Sequence, residues 1–294
     1  LDELQEMVVS RFAGIVDREY KPTIWDSQPV QPDRYRQTIR ARSMNPGHSL
    51  TLRFHTDDAV SREYGAQGAG LIGYILGHEG PGSLLAYLKS RGWATDLGAG
   101  LGENVSGLVS FDVSIALTDS GYESYSEVGK AAFAYIDLLR SEGISDTILE
   151  DYRRIHELHF RFAEKQRPSS FVSRKAADLH DYAIRDILTG PHLLTAVNQD
   201  LYKAVLSALQ VDTAIVLFAS SREDHLRESL REEWYGVEYE FRDDQSIFPD
   251  GTAVDAPLAL PRPNPFIPDP GMPIIGSRER DPVIGPALVP SGKG

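Results

Sequence analysis

GHEGPGSLLAYLKSRGWATDLGAG, residues 77–100, decides how this chain folds. The GPG at 80–82 stops a helix arriving from upstream, because proline removes an amide donor and glycine frees the backbone. Ser83 then caps a second helix over LLAYLKSRG, which Gly92 ends in the C′ role. WATDLGAG (93–100) follows as a strand. Helix, tight bend, short capped helix and strand therefore occupy one short run of chain.

Working outward, Tyr64–Leu76 carries apolar and small residues suited to a buried helix, with Gly68, Gly70 and Gly73 allowing close packing. Ser49–His55 (SLTLRFH) alternates as a strand does. Gly107–Leu117 (GLVSFDVSIAL) is a second alternating strand, joined to 93–100 by a Gly-rich turn. Its Ser110, Asp112 and Ser114 form a wet face opposite Val109, Phe111, Val113 and Ile115. Helical spacing of apolar residues predicts helices over Tyr122–Glu142 and Asp146–Gln166. Further helices are expected over Arg174–Tyr182 and 193–209 (LLTAVNQDLYKAVLSAL). Thr213–Ala219 (TAIVLFA) reads as a strand buried on both faces or nearly so. Strands and helices come in runs, not in strict alternation. The fold class is therefore α+β, a mixed or antiparallel sheet with helices packed on one face.

The two ends differ from this middle. Residues 1–16 place Leu1, Leu4, Met7, Val8, Phe12 and Ile15 at helical spacing with no cap before them, so a fragment of a longer chain is expected. Pro22, Pro29 and Pro32 mark an extended linker. Ten prolines between Pro257 and Pro290 forbid regular structure and predict an extended arm. The organisation read from this is a helix and linker at 1–30, a domain at 31–250, and a Pro-rich linker at 251–294.

The 294 residues carry a formal net charge of −13. That argues against nucleic acid, whose binders carry basic patches, and against anionic membranes; it suits a cationic peptide or a basic partner surface. The chain has no cysteine, so it can form neither disulfides nor thiolate metal sites. With no visible signal peptide, a cytoplasmic location is the expectation.

The segments LDELQEMVV (1–9), 77–100, HFRFAEKQRP (159–168), EEWYGVEY (232–239) and NPFIP (264–268) resemble, in order and wording, the insulin-degrading enzyme and pitrilysin family of zinc metallopeptidases, the inverzincins. The resemblance runs from Leu1 to about Pro268 and is most specific over Gly77–Gly100. It implies a metallopeptidase-like α/β roll within two bowl-shaped halves that enclose a chamber. Zinc would sit in a preceding domain, on a helix carrying HxxEH plus a distant Glu. This chain would supply the last helix of that domain, the whole non-catalytic second domain and the start of the strap to the other half. Its partners would be peptide substrates, the catalytic domain and the C-terminal half.

HxxEH puts two histidines on one helix face to hold zinc, with the glutamate as general base. None of the eight histidines has that spacing. The nearest approach is HELH at 156–159, an i,i+3 pair that reads as helix surface or packing. No catalytic and no metal-ligating residue is therefore assigned, and zinc belongs to the parent enzyme only.

His78–Glu79 admits three readings. Adjacent residues could act as acid and base or bind a metal, although neighbours on a helix point about 100° apart. The pair could be a structural turn, with Glu79 near a helix N-terminus. Thirdly, the resemblance implies an exosite that grips the free N-terminus of a peptide, with Gly77 and Glu79 in the bend and Leu97, Gly98 and Ala99 on the strand after it. A carboxylate suits an α-ammonium group, and a strand edge offers main-chain hydrogen bonds to any sequence. The chain departs from the family at Gly70 and Tyr74, where histidines are common, at Ala99 in place of glycine, and at Leu101 in place of a polar residue.

Arg161, Lys165 and Arg167 read as a solvated helix end or a basic steering patch, and Trp234–Tyr235 as an aromatic plug used for packing. Two rival functions stay open: an inactive partner subunit of the same fold, and a purely structural domain.

Overall fold

The computed structural model describes residues 2–16, 18–21, 34–56, 60, 63–105, 108–251 and 253–268. The linker reading on Pro22, Pro29 and Pro32 and the arm beyond Pro268 lie outside the described residues.

A seven-stranded mixed sheet organises the chain, in the order β3-β4-β2-β5-β1-β7-β6. The strands are β1 (Thr38–Arg42), β2 (His48–Thr56), β3 (Ala94–Val105), β4 (Leu108–Leu117), β5 (Ile215–Ser220), β6 (Leu230–Arg231) and β7 (Glu238–Arg242). Among the described residues only β1 and β5 pair in parallel; the other ladders are antiparallel.

Alternation fixes which face is inside. Leu50, Leu52 and Phe54 of β2 lie opposite Ile115, Val113 and Phe111 of β4, and Leu50 and Leu52 also oppose Phe218 and Val216 of β5. All are buried, and a one-residue slip would turn the whole set to solvent. On the other face Arg53 grips Asp112 through Nε (3.0 Å) and a terminal nitrogen (2.6 Å), and Thr51 meets Ser114 (3.0 Å).

The helices are α1 (Asp2–Phe12), α2 (Gly68–Leu76), α3 (Leu84–Ser90), α4 (Asp119–Glu123), α5 (Tyr125–Glu142), α6 (Asp146–Arg161), α7 (Pro168–Asp178) and α8 (Gln199–Ala208). α2, α3, α5 and α8 cover the apolar face of the sheet. Caps explain their starts. Ser83, Ser145 and Asn198 accept the amides of Ala86, Ile148 and Leu201.

Several boundaries moved from those the sequence predicts. The helix expected over 64–76 begins at Gly68, after turns at 64–67. The helix expected over 122–142 is two, broken at Ser124, which ends α4 and begins α5. The one expected over 146–166 stops at Arg161, and α7 starts at Pro168, whose fixed φ and missing amide suit the first helical turn. Within 193–209 only 199–208 is helical. β3 runs on to Val105, with irregularities between Ala94 and Asp96 and between Leu101 and Asn104, where a Gly-rich turn is expected.

β1, β6 and β7 were not foreseen, and β1 and β7 share a physical reason. Their inward positions are polar. Arg40 and Glu240 oppose one another across the ladder and both are buried. Arg40 bonds Asp244 at 3.2 Å beneath Tyr125 and Phe218. Glu240 accepts the amides of Arg227 (2.9 Å) and Glu228 (3.0 Å).

α1 forms as its spacing predicts, yet none of its residues is buried; Leu4 is 61% and Phe12 60% exposed. Residues 253–268 run without helix or strand but pack down. Val254, Leu258 and Leu260 lie on the core, Ala259 donates its amide to Gly82 O (2.8 Å), and Asn264 donates to Asp151 (2.7 Å).

His225 gives a pH prediction. Its buried ring donates from Nε2 to Phe218 O (2.8 Å) and accepts the Tyr122 hydroxyl at Nδ1 (3.3 Å). Burial, aided by the neighbouring Arg40 and Arg242, pushes its pKa down to about 4 against the pull of the Phe218 carbonyl. The unfolded ring takes its proton near 6.5, so this stabilisation is complete above that pH. It is lost as pH falls from 6.5 towards 4, by up to roughly 3 kcal/mol. Urea midpoints of the wild type should therefore drop more steeply between pH 7 and 4.5 than those of His225→Gln; parallel curves would refute this.

Candidate functional site

The bend after α2 is built from short-range bonds. Gly77 donates its amide to Gly73 O (2.8 Å) and His78 to Ile75 O (3.3 Å), which closes the helix. Gly80 N–H donates to His78 Nδ1 (2.9 Å), and Ser83 N–H to Gly80 O (3.0 Å). Gly82 sits at φ +86°, which favours glycine, with Ala259 packed against it. Ser83 is buried and starts α3.

β3 is the terminal strand of the sheet, paired to β4 with Leu97 opposite Ile115, Gly98 opposite Ser114 and Ala99 opposite Val113. Leu97 is buried, and its amide is taken by the Asp96 side chain at 2.9 Å. Gly98 is exposed, and added Cβ atoms at Gly98 or Gly100 would meet nothing within 4 Å. β3 thus has bare backbone at two alternate positions.

α2 lies so close to β3 that a Cβ on Gly73 would stand 2.5 Å from Ala99 O. A Cβ on Gly77 would stand 3.0 Å from Gly73 O and 3.8 Å from Ala99 N. The fold therefore brings the bend and the strand edge together at Gly77 and Ala99. Glu79, two residues on, is exposed, and its Oε2 lies 3.1 Å from Lys89 Nζ at the end of α3. The sequence reading missed two contributors here, Lys89, which partners Glu79, and Asp96, which takes the Leu97 amide; of His78 it missed the bond from the Gly80 amide. Lys89 and Asp96 lie within 77–100, but only the return of α3 and the strand irregularity place them.

The other sequence candidates fall elsewhere. His156 donates from Nδ1 to the His192 carbonyl (2.9 Å), and its ring leans on Tyr152. His159 lies 6.3 Å away, ring to ring, and burial lowers the His156 pKa. Among the described residues no three His, Asp or Glu side chains converge as a metal site. Arg161, Lys165 and Arg167 are exposed at the end of α6 and beyond it. Trp234 and Tyr235 are 84% and 86% exposed on a turn whose amides bond the Glu232 carboxylate (2.7 and 2.6 Å). The packing role expected for these two rings is not met within the described residues.

Comparison with known proteins decides the family. Residues 1–155, more than half of the chain, match the model described as the peptidase M16 inactive domain, and residues 160–275 match the middle or third domain of peptidase M16. The chain belongs to the peptidase M16 family. Insulin-degrading enzyme of Drosophila melanogaster is 31% identical over 91% of this chain, and the Homo sapiens enzyme 29% over 91%. Nardilysin of Homo sapiens is 28% identical over 91%. The chain spans about a quarter of these M16 relatives, 27%, 26% and 24% of their lengths. The crystal structure of pitrilysin superposes with a TM-score of 0.81 at 22% identity, over 92% of this chain and 29% of that one, and shares its fold. This M16 segment is thus non-catalytic by family model and similar to insulin-degrading enzyme.

The close approach of α2 to β3 yields a test. Gly73→Ala must push helix and edge strand apart, at a cost of roughly 1–3 kcal/mol. Gly98→Ala, with open space around it, should be far milder. Thermal unfolding of the two variants measures the difference; equal melting temperatures would show that the contact does not constrain the fold.

Proposed function

We propose that this M16 segment holds peptides by their free N-termini for an insulin-degrading-enzyme-like zinc peptidase, and forms part of its chamber wall. Hydrolysis would take place on an HxxEH-bearing domain of the parent protein. The residues of the anchor are Gly77 and Glu79 in the bend and Leu97, Gly98 and Ala99 on the strand.

One observation carries the reading: the bend sets Gly77 against Ala99 at the terminal strand, and Glu79, two residues on, is exposed. An α-ammonium group would bond that carboxylate. The following residues would extend along β3 by main-chain hydrogen bonds, without regard to sequence. Lys89 already shows that an ammonium fits there. Its exposed ion pair with Glu79 is worth little and is readily displaced or shared, since Oε2 takes the lysine and Oε1 remains for a second donor. The net charge of −13 favours cationic peptides.

A scaffolding role draws on a different observation. The apolar stripe of α1, with Leu4, Met7, Val8 and Phe12 all exposed, suits packing against further protein. The two roles are compatible in one segment.

The test is binding of a fluorescent peptide with a free or an acetylated N-terminus, by anisotropy. The free form should bind about tenfold more tightly, the scale of one charge-assisted hydrogen bond, and Glu79→Gln should abolish that preference. Equal affinities for the two peptides would overturn the anchor. Zinc-dependent cleavage by the purified chain would overturn its non-catalytic assignment.

A further inference from the structure

Glu79 is exposed and, among the described residues, pairs with a surface lysine, so its side chain does not fix where its carboxylate stands. The backbone must do so. The residues on either side of Glu79 are joined directly: Gly80 N–H donates to Nδ1 of His78 at 2.9 Å. The bond closes a small ring with Glu79 at its apex. It works as an Asx turn does, with an imidazole nitrogen in place of a carboxamide oxygen.

The surroundings hold the imidazole in that role. Tyr74, one turn earlier on α2, meets the His78 ring edge-on at 6.1 Å and 82°, and is itself backed by Tyr152 at 5.5 Å. On the other side the ring lies so near Gly80 that a Cβ there would stand 2.4 Å from Cε1 and 3.1 Å from Nδ1. The carbonyl of Gly80 accepts from Ser83 N–H, the residue that caps α3. The turn is thus fastened to α2 through the ring and to α3 through the cap.

We infer that His78 is a positioning residue for the peptide anchor: the Nδ1···H–N bond to Gly80 locks the 78–80 turn and aims Glu79 towards Leu97–Ala99 of β3. This rests on the reading of the bend as an N-terminus anchor. The bond assigns the tautomer, because Nδ1 can accept only when the ring is neutral with its proton on Nε2. Burial lowers the pKa of His78 and keeps that form populated, against the weaker opposing pull of Glu79.

The experiment compares wild type, His78→Leu and His78→Asn. Leucine fills similar space without an acceptor; asparagine returns an acceptor two residues before the same amide. Each is titrated with the free and acetylated fluorescent peptides, and thermal melting verifies that each is folded. His78→Leu should lose the preference for the free N-terminus, the ratio of affinities falling about tenfold towards one. His78→Asn should restore most of it. A leucine variant that keeps the full preference, or a folded asparagine variant no better than leucine, overturns the inference. Nitrogen-15 NMR of the wild-type imidazole should report the Nε2–H tautomer and a protected Gly80 amide; the Nδ1–H tautomer also overturns it. Should wild type lack any preference for the free N-terminus while the NMR shows the lock in place, the anchor reading fails and the positioning role falls with it. A preference without the lock removes the role of His78 alone.

Discussion

The contact between Gly73 and the carbonyl of Ala99 is the constraint on which the rest of this structure hangs. α2 is a poor helix on propensity, since glycine in a helix interior costs about 1 kcal/mol relative to alanine. It holds because its surroundings demand small residues. A Cβ at Gly68 would strike Leu201 of α8 at 2.9 Å, one at Gly70 the Tyr152 hydroxyl of α6 at 2.5 Å, and one at Gly73 the backbone of β3. Successive glycines thus admit three different elements to one short helix. Ala69, Leu71, Ile72, Ile75 and Leu76 bury its remaining surface. Local helical preference is given up for close packing, and that packing sets the end of α2 beside the terminal strand.

The two ends of the sheet solve opposite problems. Towards β3 the inner face is apolar and the strand edge is bare backbone. Towards β7 the inner face carries Arg40 and Glu240, 6% exposed each. Buried charges are costly unless their hydrogen bonds are met, and here they largely are, through Asp244 and the amides of Arg227 and Glu228. Such a pair is informative about register. A slip of one residue in β7 would turn Glu240 to the opposite face and away from the amides of Arg227 and Glu228.

That contrast explains what could be read from the sequence. β2, β4 and β5 have apolar inner positions, so alternation finds them and assigns their faces. In β1 and β7 the pattern is inverted: Thr38, Arg40 and Glu240 point inward while Ile39, Tyr239 and Phe241 are the more exposed. A hydrophobic template reads such segments as coil or turns them inside out. Helix ends were legible where a side chain caps them, as at Ser83. They were not where the chain breaks without a signal, as at Ser124. The bend and strand were legible because both lie within 77–100 and that wording is specific. The bond from Gly80 to His78 was not, since a side-chain-to-backbone contact has no periodicity to detect.

The bend is finally a tertiary object, although its residues are consecutive. α2 holds it from one side through Gly77 and Gly73. From the other side the Pro-rich segment lays Ala259 against Gly82, donates an amide to its carbonyl, and is itself fixed by Tyr135 and Asp151. Proline-rich chain suits this task. Its φ angles are restricted before folding, so less entropy is lost when it is laid down. Its amides find acceptors within the segment and beyond it, at Ala259 and Asn264 among others. A run that forbids helix and strand can still be an ordered part of the fold, because order requires only that each remaining donor find a partner and that Val254, Leu258 and Leu260 find the core.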